Sequence, residues 1–152
     1  MELKDYAGQP LHLQPNRVWR PFRGGLLLDR WQNRTPPQDG PKAEEWVAST
    51  LEARNPRPFP GGGLSWVDLP GEKRTPLREL LAAAPEAFLG TAHFRKYGLS
   101  LAILVKVLDS ASRLMIQVHP DRRFAKAILA SDFGKTEAWA ILGGRVINGE
   151  AP

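Results

Sequence analysis

The spacing of apolar positions changes several times along the chain, and each change predicts an element. Leu77, Leu80 and Leu81 recur at helical spacing, with Thr75 as N-cap and Pro76 at the first helical position. Pro85 interrupts that run, Glu86–Leu89 makes another turn, and Gly90 ends it. Ala102–Leu108 is apolar almost throughout and predicts a strand buried on both faces, with Lys106 as its one oddity. Leu114–His119 predicts a second strand, stopped by Pro120, and Glu137–Leu142 a third, followed by the Gly143-Gly144 turn. Between them, Asp121–Ala130 suits a short amphipathic helix with Phe124, Ile128 and Leu129 facing inward. The first half is more broken. Residues 34–43 and 55–63 are Pro- and Gly-rich loops flanking a strand at Glu45–Leu51, while Val18–Arg20 and Leu26–Leu28 are short elements on a winding path.

Composition narrows the class. A chain of 152 residues with 42% hydrophobic and 24% charged positions suits one folded domain. No apolar run approaches the roughly 20 residues that cross a bilayer, and the start lacks a basic stretch followed by an apolar one, so the expected location is the cytoplasm, away from any membrane. Cysteine is absent, which excludes disulfides, thiolate metal sites and cysteine nucleophiles. The net charge of +5 is spread evenly: residues 1–76 carry +2 and residues 77–152 carry +3. Interspersed signs argue against a nucleic-acid surface, and a small anionic substrate fits the excess equally well.

Gln117 and His119 stand two apart on an expected strand, so both side chains leave the same face while Ile116 and Val118 face the other way. Glu137 opens the next strand and returns a carboxylate toward that pair. An amide oxygen, an imidazole nitrogen and a carboxylate together form a donor set suited to Zn²⁺ with a position left open. From spacing alone, a solvated sheet face explains Gln117 and His119 better. Lys106 either snorkels to the sheet edge or meets an anion, because an ammonium is costly to bury alone. His12 reads as a surface residue and His93 as a loop residue.

Four segments alter the balance: Glu44–Ser49 (EEWVAS), Leu104–Asp109 (LVKVLD), Ile116–Asp121 (IQVHPD) and Gly134–Trp139 (GKTEAW). In order and spacing they resemble the N-terminal part of the type I mannose-6-phosphate isomerases (phosphomannose isomerases), zinc enzymes of the cupin superfamily. Val18-Trp19-Arg20 with Gly24-Gly25, and Pro85–Gly90, resemble that family's entry segment and short helix.

The resemblance implies a mainly β fold with short helices, an incomplete cupin or jelly-roll barrel in which residues 1–152 form one N-terminal part lacking the C-terminal strands. It implies Zn²⁺ held by Gln117, His119 and Glu137, with the family's fourth ligand, a later histidine, outside this sequence. Trp19, Lys106 and Lys135 would line the cleft for a phosphorylated hexose. Lys135 and Glu137 are the candidates for catalytic roles, Glu137 first as a ligand. Ala140 stands where the family commonly has Tyr, and Met115 where it often has Ser or Pro. The implied reaction is the interconversion of mannose 6-phosphate and fructose 6-phosphate, weak in a truncated chain. A non-catalytic module binding metal or sugar phosphate is the alternative, and open strand edges would favour self-association.

Overall fold

The computed structural model describes residues 2–56, 59–71 and 73–149. The chain divides into two compact units, Met1–Ala111 and Ser112–Pro152.

The first unit holds two three-stranded antiparallel sheets. Strands β1 (His12–Leu13), β4 (Trp66–Leu69) and β5 (Lys73–Pro76) form one, in the order β1-β4-β5. Strands β2 (Arg17–Val18), β3 (Glu44–Val47) and β6 (Val105–Leu108) form the other, in the order β2-β3-β6. In the second sheet Glu44 pairs with Leu108 and Trp46 with Lys106, so Glu44, Trp46 and Lys106 share one face. Asn16 links the sheets: its side-chain nitrogen lies 3.0 Å from the Trp46 carbonyl, 2.9 Å from that of Gly63 and 3.2 Å from the Ser65 hydroxyl. Gly63 is required there. Its φ is +95°, and a Cβ would come within 2.9 Å of the Trp46 ring.

Helices complete this unit. The N-terminus of α1 (Leu26–Trp31) is closed by the buried Asp109 just past β6, whose carboxylate accepts from the Gly25 and Leu27 amides at 3.1 and 2.8 Å. That satisfies donors a helix cannot satisfy itself. Arg17 and Asp29 form a nearly buried ion pair at 2.8 Å, and Arg17 also reaches the Lys42 carbonyl. Leu77, Leu80 and Leu81 of α2 (Leu77–Ala83) pack on Val67, with Phe88 and Leu89 of α3 (Pro85–Leu89) against the same core.

In the second unit the only helix among the described residues is α5 (Arg122–Leu129), capped by the Asp121 carboxylate on the Phe124 amide at 2.7 Å.

Several expectations change. The fold is not mainly β: helical residues outnumber strand residues, and no closed barrel forms among the described residues. Segments 114–119 and 137–142 belong to no helix and to no strand ladder. Neither has a hydrogen-bonded neighbour strand among the described residues, and Ile116 and Val118 are exposed rather than packed. The strand expected at 102–108 shortens to Val105–Leu108, because Ala102 takes a left-handed φ of +58°. It forms a sheet edge, with Ile103 and Val105 exposed instead of buried. Residues 45–51 likewise pair only as far as Val47. Leu26–Leu28 open a helix. Thr75 and Pro76 end β5, and the helix starts one residue later, with Pro76 itself at the cap. On α5 the buried residue is Ala125, while Phe124, Ile128 and Leu129 face solvent. His93 lies on a helix, α4 (Thr91–Tyr97), where its Nε2 donates to the Ser100 carbonyl at 2.8 Å. Gly90, at φ +79°, ends α3 and starts α4 at once.

Leu80→Ala empties a fully buried position and is expected to cost about 2–5 kcal/mol in urea unfolding. Asp29 gives a pH test. Burial pushes its carboxyl up, but the Gln38 amide and the Arg17 and Arg34 guanidiniums outweigh this and hold it below the usual range. A carboxyl depressed in the folded state stabilises fully above its unfolded value of about 3.9, and that contribution fades as pH falls through the folded value. Asp29→Asn should therefore lower the melting temperature at pH 7, leaving Arg17 buried without its partner, and flatten the fall in stability below about pH 4. An unchanged acid limb would refute this assignment.

Candidate active site

The second unit gathers four of the residues singled out above. Gln117 and His119 leave one segment, Lys135 and Glu137 another, each pair two residues apart. The Lys135 ammonium donates to Gln117 Oε1 at 2.8 Å and lies 3.3 Å from Glu137 Oε1. His119 Nε2 is 2.9 Å from Glu137 Oε2. Lys135 thus faces Gln117 while Glu137 faces His119, the pairing order of two parallel segments. Parallel neighbours need a crossover connection, and α5 supplies it. The Lys135 amide donates to the Pro120 carbonyl at 3.0 Å. Gly134 makes this approach possible, since a Cβ there would stand 2.8 Å from the same carbonyl oxygen. Arg122 Nε closes the loop on the Asp132 carbonyl at 3.1 Å.

This arrangement sets the state of Glu137. Partial burial pushes its carboxyl up, but hydrogen bonds from His119 and Lys135 and the positive charge of Lys135 prevail, holding it below the ordinary range. No three His, Asp or Glu side chains among the described residues are placed to hold a metal. The third donor is the Gln117 amide oxygen. A cation already stands on Gln117 Oε1 and Glu137 Oε1, the Lys135 ammonium, so these oxygens face a common positive centre. With His119 they make a donor set that fits a borderline-hard divalent metal.

The first unit holds a second charged cluster. Glu44 is buried, yet its Oε2 accepts from the Trp46 indole N–H at 2.7 Å and lies 3.5 Å from the Lys106 ammonium, while Oε1 lies 3.4 Å from Arg20 Nε. Lys106 also stands 5.0 Å from the centre of the Trp46 ring. Glu45 points to the opposite face, where its carboxylate accepts from the Asn16 amide at 2.5 Å and the Gln32 side chain at 2.6 Å. Trp19 packs at a tilt on Phe59, centroids 6.1 Å apart.

The family model for the type I phosphomannose isomerase catalytic domain matches residues 22–137, which includes Gln117, His119, Lys135 and Glu137 and, of the second cluster, Glu44, Trp46 and Lys106. The chain belongs to the type I phosphomannose isomerase family. Among curated relatives, a mannose-6-phosphate isomerase of Ogataea parapolymorpha is 46% identical over 63 residues, 40% of this chain and 15% of the relative. One from Candida albicans is 40% identical over 58 residues, 37% of this chain and 13% of the relative. A probable mannose-6-phosphate isomerase of Bacillus subtilis is 50% identical over 40 residues, 26% of this chain and 13% of the relative. The chain therefore matches only a small part of the length of each relative. No solved structure matches it.

Within this chain, Gln117, His119, Lys135 and Glu137 come together, and Lys106 and Trp19 belong to the other unit. Lys106 is neither lone nor snorkelling free, since Glu44 and Trp46 hold its ammonium. Of the remaining histidines, His12 is exposed and pairs with Asp68 at 3.1 Å. Sequence reasoning missed Glu44 and Arg20. Two successive carboxylates in a strand flanked by Ala43 and Trp46 were the available signal, because one of them must face inward on either side of the sheet.

Lys135→Met removes the cation beside Glu137. The Glu137 carboxyl is then expected to titrate higher, toward its ordinary range, in a ¹³C NMR titration of the side-chain carboxyl. An unmoved titration would show that His119 and solvent alone set its state.

Proposed function

We propose that this chain binds a divalent metal, zinc by preference, through Gln117, His119 and Glu137, and serves the interconversion of mannose 6-phosphate and fructose 6-phosphate on a cupin-type scaffold. The observation that carries the reading is the clustering of those three donors within a segment of the matched family domain, Gln117 and Glu137 sharing the Lys135 ammonium and His119 standing on the other oxygen of Glu137. The relatives' printed names supply the substrate class.

The reaction moves a proton between C1 and C2 of the sugar and builds negative charge on an oxygen. A metal bound at these donors would act as a Lewis acid toward such charge. Glu137 is held anionic by His119 and Lys135, which suits a ligand and opposes service as a strong base. The Lys135 ammonium is a donor able to stabilise a developing oxyanion once it is free of Gln117. Gln117 and His119, set two residues apart, orient donors from one side.

Metal analysis after dialysis tests the site. The wild-type chain is expected to retain about one zinc per chain, and Gln117→Ala, His119→Ala and Glu137→Ala to lose most of it. Unchanged zinc in all three would end this assignment. A coupled assay for fructose 6-phosphate should show slow turnover by the 152-residue chain, lowered at least ~100-fold by Glu137→Ala, the order expected when a charge-stabilising group is removed. Zinc retention without any turnover would leave a metal-binding module instead.

A further inference from the structure

Glu45 is a buried carboxylate without a counter-ion. The residue is only 5% exposed, and its two oxygens accept from the Asn16 backbone amide at 2.5 Å and the Gln32 side chain at 2.6 Å. No ammonium or guanidinium among the described residues forms an ion pair with it. Arg17 stands directly across the ladder, but its guanidinium is paired with Asp29 at 2.8 Å. It is linked to the Glu45 carboxylate only through Gln32, whose Oε1 accepts from Arg17 Nη1 at 3.3 Å. Two neutral donors satisfy one lone pair on each oxygen and leave the charge in place, with a second lone pair on each still to be used. A charge held out of water without an opposite partner is costly.

That carboxylate lines a cavity of about 300 Å³, at the small end of the range for small-molecule sites. Leu13, Pro15 and Val47 give it apolar walls. Gln14 lines it too. Its Nε2 is committed to Asp68, and its Oε1 has no donor among the described residues. Trp31, at the end of α1 and 61% exposed, lines the same cavity. One carboxylate among apolar walls is a poor cage for a bare metal ion, which wants several oxygens, and its negative charge repels an anion. We propose that Glu45, Gln14 and Trp31 form a binding site for an organic ammonium, a primary amine on a short apolar stem. The ammonium donates to Glu45 and to Gln14 Oε1, Trp31 offers its ring to the cation, and the stem packs on Leu13, Pro15 and Val47. A free alkylamine and a lysine side chain share this chemistry. The site lies wholly within Met1–Ala111, on the sheet face opposite Glu44 and Lys106, and depends on neither the metal nor the isomerase reading.

The test titrates the full 152-residue chain by calorimetry with n-butylammonium, with 1-butanol and with Nα-acetyl-lysine amide. The ammonium should bind, and 1-butanol, which keeps the stem without the charge, should bind at least ~10-fold more weakly, a tenfold change being about 1.4 kcal/mol. Glu45→Gln should cost n-butylammonium at least ~10-fold in affinity. Trp31→Ala, at an exposed position that folding does not need, should cost roughly 3-fold, which keeps the test decisive if Glu45→Gln melts early. Glu52→Gln removes the same charge from a side chain 53% exposed and should change nothing. Nα-acetyl-lysine amide binding as tightly as n-butylammonium assigns the site to a lysine side chain, and weaker binding assigns it to a free amine; both keep the site. Equal affinity for n-butylammonium and 1-butanol would reduce it to an apolar hollow and overturn the proposal. So would unchanged affinity in both Glu45→Gln and Trp31→Ala, or no ammonium binding by the wild type.

Discussion

Two carboxylates side by side in β3 dictate much of the first unit. Glu44 and Glu45 are both buried, and a strand sends consecutive side chains to opposite faces, so each face of the sheet must supply its own donors. On one face Trp46, Lys106 and Arg20 converge on Glu44. On the other, the Asn16 backbone amide and the Gln32 side chain bond Glu45. Those donors come from β3 itself, from β6, from the segments just past β2 and just past α1, and from the link between the two sheets. Leaving either carboxylate uncompensated would cost several kcal/mol, so the demand for donors fixes where those elements lie. Asn16 shows the coupling most directly, since its backbone amide serves Glu45 while its side chain fastens Trp46, Gly63 and Ser65.

The second unit solves a different problem with fewer means. It buries little of its apolar surface, and its long hydrophobic side chains are largely exposed. What fixes its geometry is local: the Asp121 cap on α5, the Arg122 bond to the Asp132 carbonyl, and the Lys135 amide on Pro120. These constraints span the chain from residue 120 to residue 135, the length that separates the two pairs of polar side chains. The site is therefore positioned by turn chemistry around one short helix rather than by a packed sheet.

That contrast explains what could be read in advance. Helical spacing marked Leu77, Leu80 and Leu81 correctly, because α2 has one buried face and a core beneath it. The pause at Pro85 and the break at Gly90 were visible because backbone restriction is a property of the residue itself. Of the three strands expected in the second half, 114–119 and 137–142 were misjudged for a common reason, while the first is present in shortened form. An apolar run reports a preference for burial, and whether a partner strand exists to satisfy it is a tertiary fact. At Ala102 a non-glycine residue in the left-handed region cut the strand short, and nothing in its identity announces that. The grouping of Gln117, His119 and Glu137 was legible mainly through family resemblance, since spacing by itself suited a solvated face. Glu44 and Arg20 escaped notice because Glu44 sat in a segment read for its β-formers and Arg20 in one read for its tryptophan.

The two charged clusters differ in a way that gives each its own chemistry. Around Glu137 one ammonium and an imidazole stand on one carboxylate, at side chains roughly 30 to 45% exposed. The charge there is close to balanced and changes whenever a cation comes or goes. Around Glu44 the cations are in excess, and the carboxylate that holds them is shut away from water. Adding a metal would therefore reset the first cluster, displacing or repelling Lys135, whereas the second owes its positive charge to covalent residues alone.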